Sequence, residues 1–232
     1  MANHGYDDNA VVLKHSLSTR LFHWGLILGF LPAAFTGIVI WLKPGSGDFV
    51  NLAMQIHIVG AWILTISCVL FFLFRYERVV AFWRTAFHWT KDDIEWMKVS
   101  GGYPHKIFLG KTIPVPAMGK MNSGQKMLGI MVFFGTIVII VTGWLLYAFL
   151  PMIPKQIAVY ADLLHLYLGL FLTLAICCGH IVLSVYNWGE CVCMFGDGTM
   201  KVSEAAHHNE LWVKNEIEPV SNKVGTGTTV SK

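Results

Sequence analysis

The stretch Leu163–Ser184 reads LLHLYLGLFLTLAICCGHIVLS, an apolar run with one histidine near each end, His165 and His180. On a helix their fifteen-residue separation is ~22 Å of rise, and at ~100° per residue the two rings point within ~60° of each other. A run of this length without a charge is a membrane span. An ionisable side chain inside a span is costly and marks a functional position by default. This segment therefore offers one imidazole near each face of a bilayer, on roughly one side of the helix.

Three further runs behave the same way. Leu21–Leu42, Leu52–Phe74 and Met127–Leu150 are each long and apolar, and with Leu163–Tyr186 they make four expected spans. Leu21–Leu42 exits through Trp41 and Lys43-Pro44-Gly45 rather than through a small-residue cleavage site, so it reads as a retained helix and not a signal peptide. Composition agrees: of 232 residues 55% are hydrophobic and only 13% charged, against about 25% charged in soluble domains. The expected fold is an all-α integral membrane protein, a four-helix bundle. One membrane domain covers residues 1–214 and a polar tail covers 215–232. The tail is expected to be disordered or partner-bound from about Ser221.

Between the second and third spans lies a long loop, residues 75–125. Val79–Phe87 has the aromatic and basic character of an interfacial helix. Thr90-Lys91-Asp92-Asp93 looks like a capped helix start, and Gly101-Gly102 like its stop. Lys111–Lys120 carries Pro114 and Pro116 and should be extended. Pro151–Asp162 reads as a short loop, and Ser203–Lys214 as a short helix. No internal repeat is visible.

Positive charges orient the chain. Before the first span and in the long loop lie Lys14, Arg20, Arg75, Arg78, Arg84, Lys91, Lys98, Lys106, Lys111, Lys120 and Lys126; the opposite loops hold Lys43 and Lys155. The positive-inside rule then puts both termini and the long loop in the cytoplasm, with the spans in a bacterial inner membrane. The modest net charge of +3, concentrated in these loops, reports topology and implies lipid, not nucleic acid, as the surroundings.

Ten histidines occur, of which His23, His57, His165 and His180 lie in spans. With spans alternating in direction, His57 and His165 fall near the outer face and His23 and His180 near the inner one. A zinc or copper site needs three or four clustered ligands, and a proton relay needs carboxylates that no span supplies. Two imidazoles suffice as axial ligands of one haem iron. The residues thus point to two bis-histidine b haems, His57 with His165 (outer) and His23 with His180 (inner). Histidines that merely pack, in a haem-free anchor or transporter, are the plain alternative. Gly25, Gly29, Gly37, Gly60, Gly169 and Gly179 are where a porphyrin could lie against backbone or where helices could touch closely. Trp24, Trp41 and Trp62 suit either haem edges or an interfacial belt. The five cysteines form neither CxxC nor CxxCH, so covalent haem attachment and a cysteine-held cluster have no motif here.

Several stretches resemble the cytochrome b (gamma) subunit of membrane-bound formate dehydrogenases. They are Thr19-Arg20-Leu21-Phe22-His23-Trp24, Gln55-Ile56-His57, Asp92-Asp93-Ile94-Glu95-Trp96-Met97-Lys98, Asn122-Ser123-Gly124-Gln125-Lys126, Leu163-Leu164-His165, His180-Ile181 and the stretch from Val202 to Trp212. The four-histidine pattern alone also fits di-haem cytochromes b of hydrogenases and of thiosulfate or other sulfur-compound reductases. The resemblance implies an electron-transfer subunit, not catalytic alone. Its partners would be an iron–sulfur subunit and a molybdenum or tungsten catalytic subunit, and it would reduce (mena)quinone on the cytoplasmic side. It implies quinone contacts for Asn122 and His180. Electrons driven inward across the bilayer work against about 2.3 kcal/mol per 100 mV, which suits a strongly reducing donor such as formate. Two departures stand out. His165 and His180 are one residue further apart than the family pattern, which an insertion or a π-bulge would absorb. The stretch after His180, through Glu190-Cys191-Val192-Cys193, also differs.

Overall fold

Long apolar runs in a bilayer satisfy their backbone only as helices, and helices dominate. The computed structural model describes residues 10–218. In order these form β1 (Val11–Leu13), α1 (Leu17–Leu42), α2 (Gly47–Phe74), α3 (Tyr76–Ala86), α4 (Lys91–Lys98), α5 (Tyr103–Leu109), α6 (Ser123–Ala148) and α7 (Lys155–Leu174). A π-helical segment, Ala175–Ile181, continues α7 into α8 (Val182–Tyr186); then follow α9 (Trp188–Phe195), β2 (Thr199–Lys201), α10 (Val202–His208) and α11 (Glu210–Trp212). Four of the helical stretches, Leu17–Leu42, Gly47–Phe74, Ser123–Ala148 and Lys155–Tyr186, are long and apolar enough to cross a membrane. The tail beyond Glu218 lies outside the described residues, and so does the expectation for Ser221 onward.

The starts of the spans differ from the apolar boundaries. α2 begins at Gly47 because Ser46 caps it, its Oγ accepting from the Phe49 amide at 3.3 Å. α6 begins at Ser123, where Asn122 Oδ1 accepts from the Gln125 amide and Gln125 Oε1 accepts from the Asn122 amide, each at 2.9 Å. That reciprocal pair is a capping box built from Asn and Gln. The expected loop Pro151–Asp162 is shorter than its polar residues suggested: Pro154 stands at the N-cap and Lys155–Asp162 is already helical. Gly101-Gly102 does end α4, but α5 starts at once with Pro104 in its first turn.

The chain divides into two compact units. One holds residues 18–77 and 131–186, which include most of the four spans. Its core is Phe30, Leu64 and Leu172, with Leu26, Ile139, Ile140, Leu168 and Ile176 around them. α1 and α2 approach backbone to backbone. A Cβ on Gly29 would lie 2.6 Å from the Leu64 nitrogen, and one on Gly60 2.7 Å from the Gly29 carbonyl oxygen. With little hydrophobic drive between helices in lipid, such contact is what packs them.

Among the described residues the other unit holds 10–17, 78–130 and 187–218. Here β1 and β2 pair antiparallel, Val12 opposite Met200. They cover a core of Val12, Cys193, Met200, Ala205, Trp212 and Val213. Lys14 is buried beside them, bonded to Glu190 and, at 2.6 Å, to Asn209 Oδ1. A second buried knot joins α4 to α6. Asp93 accepts from Lys126 Nζ at 2.8 Å and from Ser123 Oγ at 2.9 Å, and completes a capping box with Thr90.

Candidate functional site

The four span histidines all fall in the unit of residues 18–77 and 131–186, and they meet in two pairs. His57 of α2 faces His165 of α7, ring centroids 6.0 Å apart and planes 69° apart. His23 of α1 faces His180 of the π segment at 6.1 Å and 72°. Two imidazole nitrogens sharing one metal at ~2.0 Å each would put the ring centres ~6.2 Å apart. Both pairs therefore have the spacing of two axial ligands to one iron. Among the described residues no three His, Cys, Asp or Glu side chains gather as a metal site.

The His57–His165 pair is fixed in detail. His57 Nδ1 lies 2.8 Å from the Ala33 carbonyl oxygen. A carbonyl can only accept, so Nδ1 carries the proton and Nε2 is left with its lone pair for a metal. His165 Nδ1 lies 3.0 Å from Thr142 Oγ1, whose own proton goes to the Val138 carbonyl at 2.7 Å. That hydroxyl thus accepts from Nδ1, and His165 adopts the same tautomer. Glycines make room for both rings. A Cβ on Gly37 would stand 3.3 Å from His57 Cε1, and one on Gly143 3.0 Å from His165 Cε1.

His180 sits on the wide turn. The sequence placed it one residue too far from His165, and the π-helical segment Ala175–Ile181 lies in that interval. A π turn holds one residue more than an α turn and is frequent at functional sites.

The glycines named from sequence separate by role. Gly25, Gly29 and Gly60 are closed by a neighbouring helix: a Cβ on Gly25 would meet Ser67 Oγ at 2.3 Å, and the other two abut backbone. They pack helices and leave no slot there. Gly37 fronts His57, while Gly169 and Gly179 have nothing within 4 Å of an added Cβ. Trp62 meets Trp144 edge-on at 4.4 Å, and Trp144 Nε1 donates to Thr65 Oγ1 at 3.1 Å. Asn122 is a helix cap by both of its bonds to Gln125. Ala33, Thr36, Thr142 and Gly143 are absent from the sequence expectations. The signal that could have found them is the dipeptide Thr-Gly, which occurs twice in the spans, at 36–37 and 142–143.

Residues 14–190 match the prokaryotic cytochrome b561 family, three quarters of the chain. The chain belongs to that family. Among curated proteins it is similar to the cytochrome b556 subunit of formate dehydrogenase from Haemophilus influenzae, 24% identical over 89% of this chain and 84% of that protein. It is also similar to the cytochrome b556(Fdn) subunit of the nitrate-inducible formate dehydrogenase of Escherichia coli K12, 25% identical over 92% of this chain and 94% of that protein. This cytochrome b561-family chain is thus a membrane protein related along most of its length to formate-dehydrogenase b subunits.

Proposed function

We propose that this chain is the membrane electron-transfer subunit of a formate-dehydrogenase-type complex of the bacterial inner membrane. In this reading it carries electrons from iron–sulfur and molybdenum or tungsten subunits through two b haems to quinone near the cytoplasmic face. The observation that carries the reading is the meeting of four span histidines as two pairs at 6.0 and 6.1 Å. Similarity to formate-dehydrogenase b subunits along most of both chains supports the partner. His57 and His165 would hold one haem and His23 and His180 the other. Each haem, when bound, supplies one-electron redox chemistry. The protein's own part is to hold the imidazoles in one tautomer, to keep the surroundings apolar and to seat the quinone.

For the quinone the family resemblance proposes Asn122 and His180. An amide N–H can donate to a quinone oxygen, but Asn122 also caps α6, so the two roles need separating. Serine is as good a cap as asparagine and has no amide. The expected outcome for Asn122→Ser is unchanged thermal stability, full haem content and reduction by formate through the attached dehydrogenase, with slowed reoxidation by a menaquinone analogue in stopped flow. Normal reoxidation in that variant would leave Asn122 a cap alone. Haem reduction by hydrogen but not by formate, in membranes expressing the native operon, would move the chain to a hydrogenase-type complex.

A further inference from the structure

The two rings of the His57–His165 pair are gripped in the same way from two different helices. On α1, Thr36 and Gly37 stand against His57: the hydroxyl is 3.5 Å from Nδ1, and Gly37 lies under Cε1. On α6, Thr142 and Gly143 stand against His165: the hydroxyl is 3.0 Å from Nδ1, and Gly143 lies under Cε1. Both threonines turn their proton back along their own helix, Thr36 to the Pro32 carbonyl at 2.6 Å and Thr142 to the Val138 carbonyl at 2.7 Å. The hydroxyl oxygen of each is therefore an acceptor toward the ring. The grips differ in one respect. His57 has the Ala33 carbonyl at 2.8 Å and the Thr36 hydroxyl only at 3.5 Å, whereas the Thr142 hydroxyl stands at 3.0 Å from His165 alongside a hydrogen bond of that ring to the Ile139 backbone.

We propose that Thr36-Gly37 and Thr142-Gly143 are matched imidazole clamps, positioning residues whose hydroxyls add to the backbone carbonyls in holding the Nδ1-protonated tautomer of His57 and His165 and lower the potential of the haem held between them. The inference rests on the bis-histidine reading of this pair. An acceptor at Nδ1–H makes an imidazole a more basic ligand, and a stronger donor favours ferric over ferrous iron, which moves the potential down. The glycine lets the ring lie close enough to its helix for the threonine to reach. Because Thr142 is the direct partner of His165 and Thr36 the more distant partner of His57, the two hydroxyls contribute unequally.

The test is a redox titration of the purified chain with its native partners, followed optically and by low-temperature electron paramagnetic resonance. Thr142→Val keeps the branched shape and removes the acceptor. It should raise the midpoint potential of one haem component and shift that component's g-values, leaving the other component in place. Thr142→Ser should return both to the wild-type position. Thr36→Val should shift the same component by less. With two haems bound, wild-type potentials and g-values in Thr142→Val would overturn the clamp, and so would equal displacement of both components. If His165→Ala retained both haems, the axial assignment beneath the proposal would fall instead, an outcome distinct from the first two.

Discussion

Asp93 is sealed from solvent at 2% exposure, yet it is a carboxylate bound to an ammonium group. Burial pushes its carboxyl up, but hydrogen bonds from Lys126, the Thr90 amide, Ser123 and the Thr90 hydroxyl outweigh that and hold it below the usual carboxylate range. A buried pair costs most when broken from one side, about 3–5 kcal/mol. Asp93→Ala should therefore lower thermal stability more than Asp93→Ala with Lys126→Met, as read by melting of the purified protein. The pH dependence has a definite sign. A folded carboxyl titrating below its unfolded value of ~3.9 contributes stability that is complete above that value and is lost as pH falls through the folded one. Melting temperature should fall more steeply below about pH 4 in wild type than in Asp93→Asn; parallel curves would contradict the assignment. The same scale shows what sequence discloses. Histidines in apolar runs stand out because their burial is expensive. Threonines in spans do not, since Thr65 and Thr173 also bond back to their own helices, at 2.7 Å each, without touching a histidine. Only geometry separates Thr36 and Thr142 from them.

The wide turn in the fourth span is the element with the sharpest consequence. If Ala175–Ile181 is an α-helix holding one residue too many, removing one residue inside it should let the turn close to α geometry while His165 and His180 keep their sides. Deletion of Cys178 should then preserve the haem complement. Insertion of one alanine after Cys178 gives the interval a second extra residue, which should rotate His180 by about 100° against its partner and lose one haem. Equal haem loss in the deletion and the insertion, measured per chain, would remove the bulge as a register device. Element boundaries were less legible than element existence. The apolar runs marked the four spans, but polar capped turns begin α2 and α6, and Lys155–Asp162 is helical although Lys155, Gln156 and Asp162 interrupt its apolar residues. α5 escaped because Gly101-Gly102 and Pro104 look like loop residues. Gly101 and Gly102 take φ of 62° and 74°, a left-handed conformation that favours glycine, and Pro104 sits in the first turn of the helix that follows. β1 and β2 escaped because each is three residues long and finds its partner at the far end of the chain.

Over the whole molecule, the meeting of four histidines from three spans was legible because it needs only span order and alternation, not side-chain detail. The division into two units was not, since one of them is assembled from the N-terminal stretch, the long loop and the C-terminal stretch, which share no continuous pattern. The pairing has a direct genetic consequence. His57→Ala and His165→Ala should each remove the same spectral component, and His23→Ala and His180→Ala the other, in redox titrations of membranes. Loss of one common component in His23→Ala and His57→Ala would contradict the pairing as a haem arrangement. The central claim, that the two histidine pairs are two haem sites, is tested most directly by a reduced-minus-oxidised absorption spectrum of the purified chain with haem and protein quantified together. The account predicts two low-spin b haems per chain, all released by acidified acetone. One haem per chain, none, or haem that stays with the protein after extraction would contradict it.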